Sequence, residues 1–306
     1  VNGISSAVNN FFDPKNQHTV KVLPFLGEYS WSVVIASLVL AFCVAAVLIG
    51  GVKRIASVSQ IIVPFMAVIY IVFVLVLVVC NITAVPAAFA TIVKAAFSPK
   101  AITGGAVGSF LVAMQKGVAR GIFSNEAGLG SAPIAAAAAQ TKEPVRQGLV
   151  SMTGTFIDTI VICTLTGLSI VLTGAWQVDG LEGVQVTTYA FQNGLPLPKE
   201  LSAFVLMLCL VFFAFTTILG WDYYSERCLE YLSGGRMKYV KVYRWIYILA
   251  VFIGPYMTVS AVWTIADIFN GLMALPNMIA LFALSGVVVK ETKHFFERHR
   301  NGEIED

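Results

Sequence analysis

Ser124, Asn125 and Glu126 set a hydroxyl, an amide and a carboxylate side by side in Arg120-Gly121-Ile122-Phe123-Ser124-Asn125-Glu126-Ala127-Gly128-Leu129-Gly130. Such groups can donate to and accept from a small polar ligand, while Gly128 and Gly130 let backbone approach it closely. The triplet lies within an apolar stretch of membrane-helix length. Arg120-Gly121 reads as a helix end, and Ser131-Ala132-Pro133 reads as a helix start, with serine able to cap and proline tolerated in the first turn. Between them the chain is expected to be irregular. Such backbone survives in hydrocarbon only where protein, an aqueous cavity or a ligand satisfies its N–H and C=O groups. Two half-helices meeting there turn carbonyls and free amides toward one cavity, which suits a zwitterion or a cation–anion pair. The alternative is a kinked structural helix with Glu126 paired to Lys116 or Arg120. Stop, polar gap and start coincide, which favours the site.

Further polar residues fall inside apolar runs. Thr216 and Thr217 can offer hydroxyl oxygens to a small hard cation or bond back to their own helix. Trp221 can wall an apolar pocket or anchor at the interface. Asp158, with Thr155 a turn away, reads as structural and as a partner for Lys116 or Arg120. Asp267 and Asn270 share a helical face suited to a gate or to inter-helix hydrogen bonds. Glu226, Arg227 and Glu230, among Tyr223, Tyr224 and Tyr231, read as a solvated or interfacial face.

The elements that must position these residues are membrane helices. The 306-residue chain is 58% hydrophobic and 12% charged, with a mean hydropathy of +0.81. Soluble domains carry about 25% charged residues, so this composition predicts an all-α polytopic membrane protein. Helices of roughly twenty apolar residues cross the ~30 Å hydrocarbon layer. Seven candidates follow: Ser30 to Gly50, Ile61 to Val79, the discontinuous Gly104 to Ala139, Gly148 to Leu172, Leu201 to Gly220, Val240 to Ser260, and Ala261 to Val289, the last bent or split at Pro276.

Loop charge tests that series. Lys53, Arg54, Lys142, Arg146, Arg227, Arg236, Lys238, Lys241, Arg244, Lys290, Lys293, Arg298 and Arg300 fall on one side, and Lys15, Lys21, Lys94, Lys100 and Lys199 on the other. Thirteen against five assigns the first set, with the tail 290–306, to the cytoplasm. No soluble domain interrupts residues 1–306, which read as a single transmembrane domain. The net charge of +3 is small and its carriers sit in short loops, so nucleic acid is not an expected partner. His18, His294 and His299 lie outside the spans, the five cysteines have no CxxC spacing, and no nucleotide-binding motif appears. Enzymatic chemistry and ATP-driven transport are therefore not expected. The opening Val1-Asn2-Gly3 carries no signal-peptide pattern and reads as a start in mid-protein.

Gly117 to Gly121 followed by Phe123 to Pro133 resembles the signature of the alanine/glycine:cation symporter family. The resemblance runs on through Gly51 to Ile55, Ser151 to Asp158, Thr216 to Trp221, Glu226 to Cys228 and Asn270 to Ala274. It implies a leucine-transporter-type core of two inverted repeats, present here as about core helices 4–10 plus the end of 3. The implied activity is secondary active symport by alternating access at the plasma membrane. A small neutral amino acid, alanine or glycine, would move into the cell with sodium or a proton; no other cofactor is implied, and a monomer is expected. The implied substrate-binding residues are Asn2, Phe123, Ser124, Asn125, Gly128, Gly130 and Trp221. Sodium would meet Thr216 and Thr217, and Glu126, Arg120, Asp158 and Asp267 would gate or support. A passive channel, or a non-transporting fragment or subunit, are the alternatives.

Overall fold

A computed structural model describes residues 1–21, 27–96 and 106–304. Lys100 and the expected helix start at Gly104 lie outside the described residues. In chain order the helices are α1 (Asn2–Phe12), α2 (Trp31–Leu48), α3 (Gly51–Cys80), α4 (Val85–Ala96), α5 (Ala106–Asn125), α6 (Ala132–Ala136), α7 (Pro144–Thr155), α8 (Thr164–Leu172), α9 (Val184–Gly194), α10 (Lys199–Leu232), α11 (Met237–Ile253) and α12 (Val259–Arg300). A π-helical segment, Phe156–Cys163, joins α7 to α8. Two short strands, β1 (Thr19–Lys21) and β2 (Glu28–Ser30), pair antiparallel between α1 and α2.

Among the described residues, five helical stretches are long and apolar enough to cross a membrane: Trp31–Leu48, Lys53–Cys80, Pro144–Leu172, Lys199–Leu232 and Val259–Arg300. The other two expected spans are the broken α5–α6 stretch and α11, whose 17 residues make it short. The outer faces of α2, α3 and α12 carry large apolar side chains such as Phe42, Ile61, Ile279 and Phe282, each more than 70% exposed. Soluble proteins do not tolerate so much exposed apolar surface; in lipid it is the solvated face. The protein is a helical, multi-pass membrane protein. Pro276 does not split the last span, since α12 runs unbroken for 42 residues. At 1.5 Å per residue that is about 63 Å, roughly twice the hydrocarbon thickness, so its charged last turns leave the bilayer.

The chain folds as two compact units. Residues 1–94 and 165–259 form the first, and residues 95–164 and 260–306 the second. In the first, Ile4 of α1, Leu40, Val44 and Leu48 of α2, Ile55 of α3, Ile218 and Leu219 of α10 and Val251 of α11 share one buried cluster. Tyr256 ties the α11 end to its surroundings: its carbonyl accepts from Tyr29 Oη at 2.8 Å, and its hydroxyl meets Ser37 Oγ at 2.8 Å. In the second unit, Arg298 of α12 reaches Glu143 at 3.0 Å.

Candidate substrate and ion site

The break in the second unit falls one turn later than the sequence suggests. Helix α5 continues through Gly121 to Asn125, because Phe123, Ser124 and Asn125 keep the ladder going and a glycine alone does not end a helix. The end is set at Glu126. The Ala127 amide donates to the Ile122 carbonyl at 3.1 Å and the Glu126 amide to Phe123 at 3.4 Å, the paired bonds of a Schellman cap. The residue between helix and cap bonds must be left-handed, and Glu126 adopts φ +51° there. A side chain at this position costs roughly 1–2 kcal/mol that glycine would avoid, and such strain gathers at functional sites. Gly128 and Gly130 follow at φ +74° and +82°. Helix α6 then begins, without the expected serine cap: the Ser131 side chain caps no amide. With only five residues α6 has little macrodipole, so any ligand must be held by individual groups rather than by a helix end.

The side chains of the break divide into those with partners and those without. Ser124 Oγ donates to Asp158 Oδ2 at 2.6 Å. The Asn125 amide meets the Thr159 hydroxyl, with Nδ2 at 2.7 Å and Oδ1 at 3.0 Å, and Nδ2 also reaches the Gly121 carbonyl at 3.1 Å. Both partners sit on the π-helical segment, whose wider turn aims successive residues at the neighbouring helix. Asp158 thus pairs with Ser124, not with Lys116 or Arg120. Arg120 instead donates to Asp267 Oδ2 on α12 at 2.9 Å and lies 3.7 Å above the Trp263 ring, with Phe123 edge-on to the same ring. Asp267 therefore makes an inter-helix contact. Asn277 Nδ2 donates to the Gly128 carbonyl at 2.9 Å and anchors the glycine turn to α12.

Glu126 takes neither basic partner that a structural kink would give it. Its Oε2 and the Ser131 hydroxyl are buried with no hydrogen-bond partner among the described residues. A cavity of about 600 Å³ runs beside α6 and the start of α7, lined by Pro133, Lys142, Gln147 and Ser151.

The remaining expected residues belong to the first unit. Asn2 Nδ2 donates to the Met257 carbonyl at 2.8 Å. Thr216, buried, donates to the carbonyls of Phe212 and Phe213 at 3.1 and 3.0 Å, and the exposed Thr217 donates to Phe213 at 2.9 Å. Donation leaves the oxygen lone pairs of both hydroxyls as acceptors. Trp221 packs edge-on against Tyr224. The solvated face expected for Glu226 is absent: Glu226 is 1% exposed and receives two bonds from Arg244 on α11, at 2.6 and 2.9 Å. Only Arg227 and Glu230 form the outlying pair, at 2.6 Å. Thr159, Trp263 and Asn277 were missed by sequence reasoning. An amide just after Pro276 within an apolar run was the one available signal for Asn277.

Long apolar helices and a polar, glycine-rich helix break define a multi-pass membrane protein with an interrupted helix. The chain belongs to the sodium:alanine symporter family, whose model matches residues 4–306. It is 54% identical over 267 residues to an uncharacterized transporter of Haemophilus influenzae, covering 87% of this chain and 58% of that protein. It is 49% identical over 270 residues to the sodium/alanine symporter AgcS of Methanococcus maripaludis, covering 87% and 58%. A sodium/proton-dependent alanine carrier protein of Bacillus sp. (strain PS3) is 34% identical over 267 residues, covering 83% and 59%. The chain thus spans a little under three fifths of the length of these relatives.

Proposed function

We propose that this chain serves secondary active symport of a small neutral amino acid, alanine or glycine, driven inward by sodium or a proton. One observation carries this: the carboxylate oxygen of Glu126 and the hydroxyl of Ser131 stand buried and unpartnered beside the two glycines of an intramembrane break. Groups so placed are costly unless a ligand meets them. The rigid flank of Ser124–Asp158 and Asn125–Thr159 holds that turn in shape, as a binding element requires. Thr216 and Thr217 are assigned to sodium through their free lone pairs. Residues 1–306 are taken as part of one transporter domain of inverted-repeat type, with the C-terminal tail cytoplasmic and the protein in the plasma membrane.

A monovalent cation moving down a potential of about 100 mV releases about 2.3 kcal/mol, enough to concentrate an uncharged solute about fiftyfold before any cation gradient is added. The test is uptake of labelled alanine and glycine into liposomes holding the protein at the full length its gene encodes, with and without sodium and proton gradients. Wild type should show saturable, gradient-driven uptake. Asn125→Ala should raise KM for the amino acid, and Thr217→Ala should raise the sodium concentration needed for half-maximal rate. Unchanged coupled uptake in both variants would remove the site assignment, and flux that never saturates would replace the carrier with a channel.

A further inference from the structure

The first unit contains a buried acid that none of the transport chemistry uses. Asp222 is fully buried, and neither carboxylate oxygen has a hydrogen-bond donor among the described residues. One helical turn further along α10 lies Glu226, 1% exposed, on the same helical face. Arg244 of α11 is committed to Glu226 through both Oε1 and Oε2. The pair therefore presents two carboxyl groups to one guanidinium.

The other groups around Asp222 cannot supply the missing charge. From α11 the phenols of Tyr243 and Tyr247 lie near enough to feel its charge, as Arg244 does, and Tyr247 Oη already donates to the Ile218 carbonyl at 2.7 Å. Ser225 Oγ donates to the Trp221 carbonyl at 2.6 Å and to the Asp222 carbonyl at 3.1 Å. Helices α1, α2 and α9, which also pack on α10, carry no Asp, Glu, Lys, Arg or His. Helix α3 brings only Lys53 and Arg54, both exposed, and the Arg54 chain lies against Gly50.

A bare carboxylate in such surroundings is costly, and the group neutralises instead. The acid that meets Asp222 is Glu226, one helical turn along the same face and within hydrogen-bonding reach. Two carboxyl oxygens can bond only if one of them carries a proton.

We propose that Asp222 and Glu226 form a proton-binding site, one proton shared by two buried carboxyl groups with Arg244 balancing the remaining charge. With the proton in place the cluster is neutral. Without it, one negative charge stays buried, so release of the proton requires water to enter the α10–α11 contact. Proton binding and closure of that contact are thereby linked, whichever cation drives transport.

The test is infrared difference spectroscopy on the purified full-length protein in detergent, read for the C=O stretch of a protonated carboxyl at neutral pH. Wild type should show this band, Asp222→Asn should abolish it, and Glu230→Gln, at an outlying ion pair, should retain it. Asparagine is close to isosteric with the neutral acid, so the variant should keep its thermal midpoint. Should it not be recovered folded, Asp222→Glu keeps the acid and must shift the band without deleting it. Absence of the band in wild type, its survival in folded Asp222→Asn, or an unshifted band in Asp222→Glu overturns the proposal. Loss of the wild-type band on adding sodium at fixed pH also overturns it, in favour of a cation site. Because the band is read without transport, its absence leaves the symport proposal untouched.

Discussion

Gly130→Ala tests how the break is held. Gly130 sits at φ +82°, a left-handed conformation that costs an alanine roughly 1–2 kcal/mol. A Cβ there would also stand 3.0 Å from Asn277 Oδ1 and 3.1 Å from its Cγ. Asn277 must then shift, putting its 2.9 Å bond to the Gly128 carbonyl at risk, a bond worth about 1 kcal/mol. The single variant should lose about 2–3 kcal/mol. In an Asn277→Ala background the Oδ1 and Cγ contacts and the bond to Gly128 are gone, leaving the backbone strain and a 3.2 Å contact with the remaining Cβ, so the same substitution should cost about 1–2 kcal/mol. The coupling of about 1 kcal/mol is measurable by a double-mutant cycle, read by unfolding in mixed micelles with a denaturing detergent. An equal cost in both backgrounds refutes the contact with Asn277. A cost near zero refutes the left-handed turn itself.

Glu126→Gly should stabilise the second unit by about 1 kcal/mol, since glycine takes the left-handed cap freely, while amino-acid uptake falls; the pairing of a higher unfolding midpoint with weaker uptake is the signature to look for. Arg120→Lys keeps the charge but gives up the planar contact with Trp263 and the directed bond to Asp267. It should lose about 1 kcal/mol, because both partners are about one-third exposed; a Trp263 fluorescence spectrum identical to wild type would count against the stacked geometry. The Asp13 carboxyl is held below its ordinary range, chiefly by the Ser30 hydroxyl and then by the Gln17 amide. A lowered folded pKa means that its stabilising contribution is present above the ordinary carboxylate range and is lost as pH falls through the lowered value. The protection of the Gln17 and His18 amides against hydrogen exchange should therefore drop in acid, and Asp13→Asn should flatten that pH dependence.

The membrane class and the place of the break were legible in the sequence for a simple reason: hydrocarbon forbids unpaired backbone, so apolar runs and their interruptions are written in residue type alone. That holds for α2, α3 and α10, and for the polar triplet at Ser124 to Glu126. Where the helix stops was not legible. Gly121 carries the expected stop signal, yet hydrogen bonding continues to Asn125, and Glu126 takes the left-handed position that residue preference would refuse it.

Pairing was decided only by the tertiary structure, because a charge's partner lies on another helix at a distance that no local pattern encodes. Arg120 chose Asp267 across 147 residues, which leaves Glu126 free. Arg244, counted among loop charges by sequence, turned inward to Glu226 and made a buried acid of a residue that looked solvated. Sequence thus determined that polar groups lie within the bilayer; which of them were satisfied, and which stand open to a ligand or a proton, depended on how the helices packed.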